Sequence, residues 1–179
     1  MDASDLALLV VLGTADANAT PFEDIGPAAR LIAPLDWQPT SEVIRAAVER
    51  AMRDGLVVKI AGADGVATAL QTTGRGRRHA AVLLRKPIPR TSGAFLRACM
   101  RAKLGFLHLL SQPGRSAEVA ALAALYEDTI DFVRQLQRLS PTLAGPALQD
   151  LRCELVRLQS EAAWLEGMTR WGPLPLAAE

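Results

Sequence analysis

One stretch of this chain is made of β-forming residues, and it lies inside a sequence otherwise built for helices. The run LVVKIAGADGVATALQTT, residues 56–73, holds two β-prone segments around Asp64-Gly65. That pair favours a tight hairpin turn, because both positions tolerate the left-handed backbone such turns require. Half of the 179 residues are apolar, with much Ala and Leu and only one Tyr and four Phe. Ala, Leu, Arg and Glu form helices readily, so the expected fold is mainly α with a small β-hairpin.

Three helices are expected ahead of the hairpin. The run LALLVVLGTA gives a short first helix ending near Gly13. Thr20-Pro21-Phe22-Glu23 then has the form of a helix start, with Thr20 as N-cap, Pro21 in the first turn and Glu23 closing a capping box. Phe22, Ile25, Ala29 and Ile32 follow at helical spacing, and Pro34 ends the element. The third helix is SEVIRAAVERAMRD, residues 41–54, capped by Thr40 or Ser41. Val43, Ile44, Ala47, Val48, Ala51 and Met52 make its apolar face, and Gly55 stands at its C-terminal stop. After the hairpin, Thr72-Thr73 can cap a fourth helix, GRGRRHAAVLLRK, that ends before Pro87.

Helix, helix, helix and hairpin is the order of a winged helix-turn-helix, whose third helix enters the major groove of DNA. The expected organisation is a winged-helix DNA-binding domain over residues 1–86, a linker over 87–93, and a helical dimerisation domain over 94–179. In the last helix Leu148, Leu151, Leu155, Leu158, Ala162 and Leu165 alternate at spacings of three and four. That is a heptad seam, which needs a partner helix from the same chain or from a second copy. Leu148, Leu151, Leu155, Leu158, Trp164 and Leu165 are the expected dimer contacts.

Charge is divided along the chain. From Gly65 to Ala117 there are 53 residues without Asp or Glu, and they hold ten of the twenty Lys and Arg. Residues 1–64 carry five bases against ten acids, and residues 118–179 five against nine. Such asymmetry points to a polyanion facing the middle of the chain. Arg75, Arg77 and Arg78 follow the hairpin and suit phosphate contacts, with Lys59 on the first strand as a further one. Arg45 can offer its bidentate fork to guanine, or pair with Glu42 or Glu49 along the helix. Thr40 and Ser41 can donate to a phosphate or simply cap. Arg97, Arg101 and Lys103 are expected to face the acidic segment 118–179.

The chain resembles the PadR family of transcriptional regulators, in its AphA-like branch. The phrases that carry the resemblance are the opening helix LALLVVLG, the third-helix ending RDGLVV and the hairpin exit LQTTGRGRR. The apolar helix RAKLGFLHLL and the terminal EAAWLEGM complete the set. The resemblance implies a homodimer that binds a pseudo-palindromic site on double-stranded DNA to regulate transcription, and leaves room for an unidentified small-molecule effector. The third helix is electrically neutral, with three bases against three acids, and the hairpin GADGVATALQ carries no base. A winged-helix dimer that serves instead as a protein-interaction or ligand-sensing module is the alternative.

Catalysis finds no foothold. There is no Cys/His/Asp spacing for a metal, GRGRR lacks the Lys-Ser/Thr of a phosphate loop, and no Ser stands in a nucleophile elbow. The expected protein is not an enzyme and uses no cofactor. Cys99 and Cys153 are both expected as small buried hydrophobes. Asp2 and Asp5 precede the first apolar run in place of the bases of a secretory leader, and that run is too short to cross a bilayer. The expected location is the cytoplasm.

Overall fold

The computed structural model describes residues 1–17, 19–33, 36–61, 68–88, 93–139 and 145–170. They form two compact units, Met1–Ser111 and Gln112–Glu179. The first is built around α1, Ala3–Ala17. Every residue from Leu6 to Leu12 is almost completely buried, as is Ala15. A helix apolar on all sides cannot lie at a surface, and α1 is the hub on which the other elements pack. It runs past Gly13, which the sequence marked as its end. Gly13 is a packing residue: a Cβ there would lie 2.2 Å from the Phe106 ring.

The capping box at Thr20 does not form. Thr20 and Pro21 make a short strand, β1, that pairs antiparallel with a later strand through Thr20↔Leu70 and Pro21↔Ala69. The Thr20 hydroxyl donates to Thr14 O at 3.1 Å instead of capping. Helix α2, Phe22–Ile32, follows with Pro21 at its N-cap and no side-chain cap. Its Ile25 and Ala29 are buried, whereas Phe22 is exposed.

Helix α3, Ser41–Arg53, has the expected start and stop. Val43 N–H donates to the Thr40 hydroxyl at 3.4 Å. Gly55 has φ +66°, Leu56 N–H donates to Ala51 O, and Gly55 N–H to Met52 O. This paired closure satisfies two carbonyls that the helix leaves without partners. Ile44, Ala47, Val48 and Ala51 are buried, while Val43 and Met52, expected on the apolar face, lie at its exposed edges.

The hairpin strands are β2, Val57–Ala61, and β3, Thr68–Thr72, paired from Val57↔Thr72 to Ala61↔Thr68. The sheet order is β1-β3-β2, so the hairpin gains a third strand from the segment before α2. The expected turn at Asp64-Gly65 lies outside the described residues. Helix α4, Gly74–Arg85, begins at once, capped by the Thr73 hydroxyl, which accepts from Gly76 N–H at 3.0 Å. Together these elements are a winged helix.

Helix α5, Ala94–Gly105, and a 3-10 turn, Leu107–Leu109, complete the first unit. The chain divides after Ser111, so α5, expected with the C-terminal helices, stands with the winged helix. Two contacts tie it there: Phe106 against Gly13, and Arg97 Nε to the Asp36 carboxylate at 2.6 Å. Asp36 is also 3.9 Å from Arg101. Both arginines thus reach an acid of the first unit. Cys99 is buried, and desolvation pushes its thiol up to about 11. Cys153 is exposed, contrary to expectation.

The second unit pairs α6, Gln112–Leu139, with α7, Pro146–Arg170. Val119, Leu122, Tyr126, Ile130 and Val133 form the buried stripe of α6. Leu158 and Leu165 are the buried residues of α7 among those described. No helix among the described residues is long and apolar enough to cross a membrane.

At the start of α1, the Asp5 carboxylate accepts from Asp2 N–H at 3.2 Å and from Lys86 Nζ at 2.8 and 3.0 Å. Burial alone would raise the Asp5 carboxyl. The Lys86 and Asp2 hydrogen bonds outweigh it and hold the carboxyl below its ordinary 3.8. A depressed carboxylate stabilises the fold above its unfolded value, and the contribution disappears as pH falls through the folded value. Lys86→Met should therefore cost about 1 kcal/mol at neutral pH, discounted for the exposure of Lys86. Chemical denaturation at a series of pH values should show variant and parent converging below pH 3.8. Packing gives a second expectation. A Cβ on Gly76 would lie 2.1 Å from the Leu56 carbonyl oxygen, part of the backbone. At Gly13 the obstacle is a side chain that can turn. Gly76→Ala should cost about 3 kcal/mol, the upper end for an overpacked site, and more than Gly13→Ala in the same measurement.

Candidate nucleic-acid interface

The basic residues after the wing occupy a costly place. Arg75, Arg77 and Arg78 fall in the first turns of α4, with no acid beside them in the first turn. A helix N-terminus carries partial positive charge, so cations there are unfavourable until an anion joins them. The structure resolves this for Arg77 alone. Its Nε donates to the Asp16 carboxylate at 2.5 Å, joining α4 to the end of α1. That hydrogen bond, with the charge of Asp16 behind it, raises the Arg77 guanidinium above its ordinary value. Arg75 and Arg78 are exposed and form no ion pair among the described residues.

The neighbourhood of Arg75 is tightly knit. The Thr73 hydroxyl donates to Gly55 O at 2.9 Å, fastening the start of α4 to the turn after α3. Arg75 Nη1 lies 4.0 Å from where a Gly55 Cβ would stand. Arg75 therefore adjoins the C-terminal end of α3. Thr40, Ser41 and Arg45 lie along its N-terminal half, and all three are exposed. Arg45 to Gly55 is about 15 Å along the helix at 1.5 Å per residue. Lys59 is exposed on β2, opposite Leu70, at the free edge of the sheet.

Arg45 is occupied in the free protein. Its Nη1 lies 3.2 Å from Glu49 Oε1, an ion pair with both side chains more than half exposed. The i,i+4 spacing made this legible from the sequence. Arg50 is engaged as well, 3.8 Å from Asp54 and donating to the Ser4 hydroxyl at 3.1 Å.

With this geometry, the chain can be set beside solved structures. It is similar to Bacillus subtilis PadR, at 16% identity over 93% of this chain and 94% of that one, with TM-score 0.44. The same protein in complex with operator DNA aligns at 17% identity over 89% and 94%, TM-score 0.42. The Vibrio cholerae virulence activator AphA aligns at 16% over 92% and 95%, TM-score 0.40. No family model and no curated protein matches the chain.

The residues expected at a dimer contact separate into three kinds. Leu158 and Leu165 are buried, Leu148, Leu151 and Leu155 are half-buried, and Trp164 is 54% exposed. Three further large apolar side chains of this unit are exposed, Phe132 and Leu139 on α6 and Val156 on α7. Sequence reasoning passed over them, although Leu125, Thr129, Phe132, Leu136 and Leu139 form a second three-four stripe beside the buried one.

The two kinds of arginine on α4 can be told apart by stability. Asp16→Ala and Arg77→Ala should each lower Tm, and their effects should not add in the double variant, since both remove one contact. Arg75→Ala, which removes no ion pair among the described residues, should leave Tm unchanged.

Proposed function

We propose that this chain is a dimeric transcriptional regulator that binds a pseudo-palindromic site on double-stranded DNA. The observation that carries the reading is the pair Arg75 and Arg78, exposed and without ion partners among the described residues at the positive end of α4, with Arg75 beside the C-terminal end of α3. Two cations placed where the helix disfavours them are stabilised when an anion arrives. In a winged helix this position meets the phosphate backbone when α3 enters the major groove. Such contacts supply affinity and register and carry no sequence information. Thr40 and Ser41 at the α3 start and Lys59 on the wing are further backbone contacts, and Arg45 reads a base edge once it leaves Glu49.

The dimer is formed by the second unit. Phe132, Leu139, Val156 and Trp164 are apolar and exposed, and Leu148, Leu151 and Leu155 are covered only in part. A second copy completes their burial, as an isologous two-fold contact does. The two winged helices then meet successive half-sites. The regulator works in the cytoplasm, where duplex DNA is reached directly.

Selection of bound duplexes from a random pool, followed by titration at several salt concentrations, tests the reading. Affinity should fall steeply with salt, and Arg75→Ala or Arg78→Ala should weaken every sequence alike while reducing the salt slope by about one each. Phe132→Glu with Leu139→Glu should yield a monomer in sedimentation and lose the palindromic site. Absence of any duplex binding at low salt would overturn the proposal.

A further inference from the structure

The reading face of α3 is acidic at its centre. Ile44, Ala47, Val48 and Ala51 are buried, which sets the inward direction of the helix. At 3.6 residues per turn the ridge opposite them is Glu42, Ala46, Glu49 and Arg53. All four are exposed. Arg45 stands to one side of this ridge and leans across to Glu49. A carboxylate in the first turn of a helix has a structural reason, since it complements the helix dipole, and Glu42 is in that position. Glu49 sits in the third turn, where the dipole gives it none. Its pair with Arg45 is exposed on both sides, and such pairs contribute little to stability.

On a phosphate-lined surface an unneeded carboxylate is repelled. In the major groove it has one good partner class, the exocyclic amino group, and the pairing that fits Glu is cytosine N4. We propose that Glu49 is a specificity-determining residue of α3, accepting from the amino group of a cytosine in each half-site, with Arg45 released to donate to a neighbouring guanine. This rests on the DNA-binding reading above and deepens it. A base pair without an amino donor at that place leaves the carboxylate desolvated and unpaired, so Glu49 acts chiefly by rejecting wrong sequences. The neutral charge of α3 then has a use: it lowers attachment to DNA at large and leaves binding dependent on the correct bases.

The test is duplex selection from a random pool with the parent protein and with Glu49→Gln. The parent should enrich a fixed cytosine in each half-site. The variant should lose that preference by about ten-fold, or move it to adenine, which Gln recognises through N6 and N7. Its Tm should not change, and its affinity for unrelated duplex should rise. If Glu49→Gln selects the same sequences as the parent, with only a uniform gain in affinity, Glu49 is no more than a surface charge and the proposal is overturned. If the parent enriches no duplex at all, the DNA-binding reading itself fails, and this assignment with it.

Discussion

Burial of α1 is the constraint on which the first unit depends. A seven-residue run from Leu6 to Leu12 is removed from water on every side, and that requires neighbours all round. Helices α2, α3, α4 and α5 and strand β3 supply them. The wing is tied to the same hub, since the buried Thr72 hydroxyl donates to Leu12 O at 2.7 Å. The polar contacts at the ends of α1 are fitted around this burial. Asp5 meets Lys86 at one end and Asp16 meets Arg77 at the other. Both ion pairs join α1 to α4, so the helix that carries the free arginines is held at two points.

Local chemistry was easy to read in the sequence where it coincided with the fold. The α3 cap at Thr40, its stop at Gly55, the two hairpin strands and the cap of α4 at Thr73 follow from residues a few places apart. The misreadings arise where a distant residue decides. Gly13 has the look of a helix stop, but its neighbour is Phe106, 93 positions on, and the missing side chain serves that contact. Thr20-Pro21-Phe22-Glu23 has the composition of a capping box, yet pairing with Leu70 and Ala69 takes Thr20 into the sheet. No periodicity announces a two-residue strand. Cys153 belongs to an apolar-looking helix but lies on its exposed side.

The candidate interface was legible in the same uneven way. A run of bases after the wing is visible in the sequence; which of them is free is not. Arg77 and Asp16 are 61 positions apart, and their pairing takes one of three adjacent arginines out of the set that is free of ion pairs. Arg97 and Arg101 turn to Asp36 for the same kind of reason, since the carboxylate is nearly buried and needs cations close by. The acid-free stretch is therefore not one surface. It contains arginines that fasten the fold and arginines that do not, and only the second kind is free of an ion partner in the absence of an anion.

The knot between α3 and α4 has a mechanical consequence. Gly55 turns the chain, the Thr73 hydroxyl holds Gly55 O, and Gly76 stands so close to Leu56 O that there is no room for a methyl group. The end of one helix and the beginning of the other are thereby a single stiff piece, and the span from Glu49 to Arg75 and Arg78 works as a ruler. In the proposed complex the protein does not stretch to suit the duplex. The duplex adjusts its groove to the ruler, so base steps that deform at low cost are favoured even where no side chain touches them.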